Sequence, residues 1–273
     1  MRPEQRAKRD AFLDRIGSRP LIMGIVNVTP DPFSDGGRFH AAEAAIAHAR
    51  RLAADGGDIV DIGAESTRPG ATPVAANEEL ARLEPVLVAL ADLATPLSVD
   101  TSKAAVAKRA LALGAVVIND VWGLQNDPAM ADTVAQGEAA VVIMHNRAEK
   151  DGTLDIVADM RRCFDRSLAI ASRAGIPKER IILDIGVGFA KSGRQNRDAI
   201  ARLGELADYG LPILVGASRK RFLGSLTGDG SEGTLAGTLA VSLAAAAAGA
   251  AILRVHDVTE HVAALKVFRA MRG

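Results

Sequence analysis

Apolar runs rich in β-branched residues recur along the chain, and each empties into a polar or glycine-bearing cluster. The first, LIMGIV, leads into Asn27, Thr29, Asp31, Ser34, Asp35 and two glycines. DIVDIGAESTRPGA, LSVDTS, AVVINDVWG, AVVIMHNR, RIILDIGVGF, PILVGASRKRF and AAILRVHD repeat the pattern. Such runs lack polar alternation and read as strands covered on both faces, the mark of a parallel sheet. They predict strands at about 21–27, 58–62, 97–100, 115–119, 140–145, 180–185, 212–217 and 250–255. Helical stretches lie near 40–55, 77–93, 102–113, 128–137, 155–174, 195–208, 233–248 and 257–271, with stops at Gly56 and Gly57, Gly114, Gly137, Gly175 and Gly249. Strict alternation of strand and helix makes the crossovers right-handed and the sheet parallel.

Residues 1–273 are therefore expected to form one α/β domain, a (β/α)8 TIM barrel, a fold of roughly 250 residues. The opening MRPEQRAKRDAFLDRIG is charged, reads as an amphipathic helix covering the barrel, and carries no apolar leader core. A doubly wound open sheet is the alternative architecture. Its glycine-rich phosphate loop, GxGxxG or GxxxxGK[ST], is missing after the first strand.

Charge changes this picture by exclusion. Lysine plus arginine equals aspartate plus glutamate at 33 each, so no global attraction to nucleic acid or anionic membrane is expected, and any anion site must be local. The single cysteine, Cys163, excludes an internal disulfide framework, fits a reducing cytoplasm and reads as helical filler. AVSLAAAAAGAAIL is too short for a membrane span of roughly 20 residues and reads as a buried helix entering the last strand.

The strand ends carry the candidate chemistry: Asn27, Asp61, Asp100, Asn119, His145, Asp184, Ser218 with Arg219 and Lys220, and Arg254 with His256. On a barrel these converge on one mouth. Asp100, Asn119 and Asp184 suit a flat heterocycle with adjacent donors and acceptors, since a carboxylate accepts two parallel N–H bonds while an amide gives one and takes one. Asp100-Thr101-Ser102 reads equally well as a helix cap, whereas Asp184 precedes Ile-Gly-Val-Gly and has no adjacent helix to cap. ASRKRF follows a buried strand, so at least one of its cations should enter the mouth. Arg254 and His256 alternate and share a side; with Asn27, a hard oxygen ligand suited to Mg²⁺, they form a candidate pocket for an anion and its cation. His145 reads equally as a structural histidine, and His40, His48 and His261 are expected at the surface of helices. ESTRPGATP, residues 65–73, reads as a loop with Thr67 and Arg68 at its tip, while Phe33 and Phe189 are candidate apolar walls.

GIVNVTPDPFSDGG, DIGAESTRPGA, SVDTSK, INDVWG, DIGVGF, GASRKRF and RVHDV, in that order, closely resemble the dihydropteroate synthase family over essentially all of residues 21–271. The resemblance implies a (β/α)8 barrel that joins 6-hydroxymethyl-7,8-dihydropterin diphosphate to 4-aminobenzoate and releases pyrophosphate with the help of Mg²⁺. It implies that Asp100, Asn119, Asp184 and Lys220 hold the pterin with Arg254 stacked on its face, that Asn27 binds the metal, and that Thr67, Arg254 and His256 hold the diphosphate. Phe33, Arg68, Pro69, Phe189, Lys220 and Ser218 would line the aminobenzoate side. Lys220, Arg254, His256 and Asn27 are the residues expected to carry the catalysis. Barrels of this type commonly pair through outer helices, so a cytoplasmic homodimer is expected.

Four positions depart from the family's usual residues: Pro32 for Ser, Ile185 for Pro, Ala190 for Gly and Arg221 for Ser. Pro32 drives Asp31 toward extended backbone, and Arg221 adds a cation near the expected aminobenzoate carboxylate. Two alternative readings share the fold: a methyltetrahydrofolate-binding methyltransferase domain, and a catalytically idle pterin-binding paralogue acting as a partner subunit.

Overall fold

The computed structural model describes residues 1–28, 37–66, 72–227 and 234–272, with the backbone alone for 37–40. Eight parallel strands close in sequence order: β1 Leu21–Asn27, β2 Ile59–Gly63, β3 Leu97–Asp100, β4 Val117–Asp120, β5 Ala140–Met144, β6 Ile181–Asp184, β7 Ile213–Val215 and β8 Ile252–Val255. β8 pairs back onto β1, Met23 facing Arg254, so no sheet edge is left open. The helices are α1 Pro3–Asp14, α2 Gly37–Ala54, α3 Ala76–Ala89, α4 Ala104–Leu113, α5 Met130–Gln136, α6 Ile156–Arg173, α7 Gly193–Ala201, α8 Arg221–Thr227, α9 Leu235–Ala247 and α10 Val258–Ala270. The expected (β/α)8 barrel with a preceding helix is the observed fold.

Alternation along each strand sorts side chains between two cores. Outward positions such as Ile22, Val26, Val60, Val99, Ile118 and Leu253 pack under the helices. Inward positions Leu21, Met23, Ile59, Val117, Ala140, Val142, Ile182, Leu214 and Ile252 fill the interior, and Phe12 of α1 plugs it from below. A strand's period of two then fixes what lies one layer higher. Two residues past the inward Ile59, Val117, Ile182 and Ile252 come Asp61, Asn119, Asp184 and Arg254. The apolar floor therefore dictates that the polar residues face the same interior, toward the carboxyl ends of the strands.

The helix expected over 195–208 is divided. α7 stops at Ala201, and a 3₁₀ segment runs from Leu203 to Tyr209, where the tyrosine hydroxyl donates to Asp165 of α6 at 2.7 Å. Gly204 and Arg202, which departs from helical dihedrals at φ −101° and ψ 20°, interrupt the α-helix. α8 occupies seven residues after β7 where no helix was expected, since so short a segment cannot display a period. His261 is buried, not a surface residue: its ring sits between Ser242 Oγ at 3.1 Å and the Asp257 carbonyl at 2.6 Å. Cys163 is buried in α6 as expected. No helix among the described residues is long and apolar enough to cross a membrane.

Because Phe12 is 1% exposed and closes the interior core, Phe12→Ala is expected to lower stability by about 3–5 kcal/mol. Urea denaturation with an unchanged slope would measure it. A loss below about 1 kcal/mol would mean that α1 only rests on the barrel.

Candidate active site

The upper interior layer is a network centred on Arg254. Its Nε donates to Asp61 Oδ2 at 2.7 Å and a terminal nitrogen donates to Asp100 Oδ2 at 2.8 Å. Asn119 Nδ2 donates to the same Asp61 oxygen at 3.0 Å. Asp61 Oδ1, Asp100 Oδ1 and Asn119 Oδ1 remain buried without a hydrogen-bond partner among the described residues. Asp184, also buried, receives the Gly186 N–H on Oδ1 at 2.7 Å. Buried acceptors without donors are costly, so a cluster of them at a barrel mouth marks a place built for a ligand's N–H groups.

Electrostatics point the same way. Burial pushes the Asp100 carboxyl up to about 7, with Asp61 and Glu79 adding to the rise and Arg254 opposing it. Burial likewise raises Asp184. One guanidinium serves two adjacent carboxyls, so the site accommodates a proton on Asp100 near neutrality. Asp100 does not cap α4. Lys103 occupies that position, and the first-turn N–H of Ala104 goes to Asp127 Oδ2 at 2.8 Å. Of the two readings the sequence allows for Asp100, the structure selects the inward one.

Around this floor stands a rim of cations and rings. Lys220 Nζ lies 4.5 Å from the centroid of the Phe189 ring, so one cation of the basic run does reach an aromatic wall. Ser218 Oγ and His256 Nδ1 are 2.9 Å apart, and the His256 backbone N–H donates to the same hydroxyl at 3.2 Å. Burial, with Arg219 and Arg254 nearby, lowers the His256 pKa to about 4, so the ring is neutral at neutral pH. A neutral imidazole keeps one N–H, which serves Ser218 or an anion according to the tautomer. Arg219 pairs with Asp257. Asn27 ends β1 as an exposed residue beside Gly63 of β2. Arg254 and His256 diverge in their partners, the first reaching the interior carboxylates and the second Ser218. Phe33, Thr67, Arg68 and Pro69 lie outside the described residues.

The chain matches the family described as Pterin binding enzyme over residues 23–256. It is 42% identical to the dihydropteroate synthase of Bacillus subtilis, over 93% of this chain and 89% of that protein. The Escherichia coli dihydropteroate synthase is also 42% identical, over 93% and 92% of the two chains. The chain belongs to the dihydropteroate synthase family. Among solved structures, the Clostridium difficile dihydropteroate synthase in the presence of pteroic acid superposes with a TM-score of 0.88 at 44% identity, covering 94% of this chain and 98% of that one. The Xanthomonas albilineans dihydropteroate synthase with 4-aminobenzoic acid gives 0.87 at 47% identity, covering 93% and 94%.

Asp61 is the residue of this family member that sequence reasoning undervalued. It stands among the strand-end residues, yet nothing local assigns it a role. Its position two residues past the inward Ile59 was the available signal, parallel to Asn119 after Val117. Lys191, buried in the β6–α7 loop, was missed altogether, because a lysine next to a serine and a glycine reads as a solvated loop residue.

Arg254→Met would leave Asp61 and Asp100 facing each other without their shared cation. At pH values above 7 the expected loss is about 3 kcal/mol, at the low end of the range for a broken buried pair because the Arg254 side chain keeps 18% exposure. The loss should shrink as protonation of Asp100 removes the repulsion; because Arg254 helps draw that carboxyl down to about 7, the shrinkage in the variant begins above that pH and is complete below it. Denaturation curves of both proteins across that interval would measure it; a pH-independent difference would contradict the assigned repulsion.

Proposed function

We propose that the mouth of this barrel condenses 6-hydroxymethyl-7,8-dihydropterin diphosphate with 4-aminobenzoate to give 7,8-dihydropteroate and pyrophosphate. The observation that carries this reading is the buried set of acceptors, Asp100 Oδ1, Asn119 Oδ1 and the Asp184 carboxylate, in a chain of this family. A pterin edge presents amino and ring N–H donors side by side, which such oxygens accept in the plane of the ring. Arg254, held by Asp61 and Asp100, belongs to that slot, and Lys220, close enough to act on the Asp100 and Asp184 carboxyls, meets the Phe189 ring.

No nucleophile of the enzyme is required. The bond from the exocyclic methylene to the diphosphate oxygen breaks, its electron pair leaves with pyrophosphate, and the electron-rich dihydropterin stabilises the methylene cation. The arylamine nitrogen of 4-aminobenzoate forms the new C–N bond, and the proton it loses goes to the departing pyrophosphate or to solvent. The neutral His256 ring and Lys220 supply N–H donors and positive charge for the anionic groups, and Ser218 holds the histidine in orientation.

A magnesium ion fits the donor set as a companion of the diphosphate. Asn27 supplies one hard oxygen at the strand end, and no trio of His, Cys, Asp or Glu among the described residues is placed to hold a metal. Bound there, Mg²⁺ would neutralise charge on the leaving group. Thr67 and the aminobenzoate-side residues Phe33, Arg68 and Pro69 are carried in this proposal by the family's motif alone. A cytoplasmic homodimer is part of the same reading; Val267 and Met271, one helical turn apart on and just beyond α10, are exposed. A sulfonamide drug complex has been solved for the Yersinia pestis dihydropteroate synthase, which supports reading this chain as a sulfonamide target as well.

Steady-state pyrophosphate release should require both substrates, and a chelator should suppress it while the melting temperature of the ligand-free protein stays put. Release without 4-aminobenzoate would favour simple hydrolysis. No release at all, with pterin binding intact, would favour the idle paralogue, and methyl transfer from methyltetrahydrofolate the methyltransferase.

Asp184→Asn presents one N–H where the pterin presents another. Pterin affinity by calorimetry should fall by about 1–3 kcal/mol, roughly five- to 150-fold, with the circular dichroism spectrum unchanged. Unaltered affinity would make Asp184 a purely structural partner of Gly186.

A further inference from the structure

Residues 185–192 join β6 to α7, and one side chain that touches neither substrate in the proposed reaction sets their course. Lys191 is 6% exposed. Its Nζ donates to three backbone carbonyls: Gly186 at 2.7 Å, His145 at 3.3 Å and Phe189 at 3.3 Å. An ammonium has three donors, and here each has an acceptor. Two of the carbonyls belong to the loop and the third follows β5, so the amine closes the turn and ties it to the neighbouring strand end.

Gly186 is where this clamp meets the site. Its N–H goes to Asp184 Oδ1, and its carbonyl accepts both Lys191 and the Phe189 N–H, the latter at 3.1 Å. Its φ is +61°, and a Cβ there would lie 2.0 Å from the His145 carbonyl oxygen, so the close approach to β5 is open to glycine alone. Further along, Gly188 donates to Asn196 Oδ1 at 2.7 Å and Arg147 donates to the Ala190 carbonyl at 2.6 Å. Between these ties Phe189 meets Lys220. The loop thus links an interior carboxylate to a rim aromatic through a single turn.

We propose that Lys191 is a positioning residue: by holding the Gly186 and Phe189 carbonyls it sets both the Asp184 carboxylate and the Phe189–Lys220 wall. The proposal rests on the dihydropteroate synthase reading of the mouth. Burying an ammonium among carbonyls is expensive, and that burial lowers its pKa to about 7, so the three-donor form prevails below about pH 7 and the comparisons below belong on that side. A methionine of similar length fills the same space without that expense, so a stabilising role and a positioning role predict different behaviour for one substitution.

The test uses the full chain with Lys191→Met and Lys191→Gln, the second keeping two N–H donors. Three readouts are needed: melting temperature, calorimetric affinity for a pterin, and KM and kcat for each substrate. Lys191→Met is expected to melt near the parent temperature while pterin affinity and kcat/KM for 4-aminobenzoate fall by between about tenfold and a hundredfold. Lys191→Gln is expected to recover part of that loss. A folded Lys191→Met with parental pterin affinity and parental KM values would overturn the proposal. So would two variants that are less stable but kinetically equal to the parent, which would assign Lys191 to stability alone. If Lys191→Met does not fold, Lys191→Gln decides by the same kinetic criterion. Parent enzyme without pyrophosphate release would sink the reading of the mouth itself; the pterin titration needs no turnover and separates the two failures.

Discussion

Arg254 carries a positive charge into the upper interior of the barrel, where Asp61 and Asp100 both lie within 2.8 Å of it. Neither carboxylate would tolerate that interior alone, and together without the cation they would repel. The guanidinium's planar fork satisfies one oxygen of each and leaves their other oxygens unpartnered among the described residues. The same charge that permits burial therefore leaves acceptors available. Asn119 joins through the Asp61 oxygen, which presents its own carbonyl oxygen unpartnered as well.

This arrangement depends on the apolar layer beneath it. Phe12 and the inward residues from Leu21 to Ile252 exclude water from below, so the polar layer is solvated, if at all, only from the mouth. Low polarity on one side strengthens each contact above and also raises the cost of any contact left unmade. That combination suits recognition of a flat, donor-rich ring better than it suits stability, and it accounts for the raised Asp100 and Asp184 carboxyls.

The departures from the family's usual residues acquire distinct meanings in the fold. Ile185 is fully buried and joins the core between strands and helices, so apolar contact replaces the rigidity of a proline. Ala190 sits at φ +43°, a region where a Cβ is disfavoured by about 1–2 kcal/mol, with its carbonyl held by Arg147. Arg221 is exposed at the first residue of α8. Pro32 lies outside the described residues.

The sequence by itself determined the barrel and most of its mouth. Apolar runs covered on both faces, glycine stops and strict alternation, with no glycine-rich phosphate loop after the first strand, favour the closed topology over an open sheet, and in it the residues that end the runs gather at the carboxyl rim. Positions Asp100, Asn119, Asp184, Ser218, Lys220, Arg254 and His256 follow from that rule, as do the left-handed stops at Gly56, Gly114, Gly175 and Gly249. Gly137 is a useful exception: it stays at φ −73° and Glu138 takes the left-handed turn, because a boundary fixes where the chain must reverse and not which residue does so. Tertiary structure alone decided who pairs with whom. The Arg254–Asp61 bond joins residues 193 positions apart, and the Lys191 clamp crosses 46 positions to His145. His261 and Lys191 carry no local sign of burial and are buried only because distant segments close over them. Local patterning reports which face of an element is apolar; the partners of a buried polar group are set by register between strands, which no short stretch of chain contains.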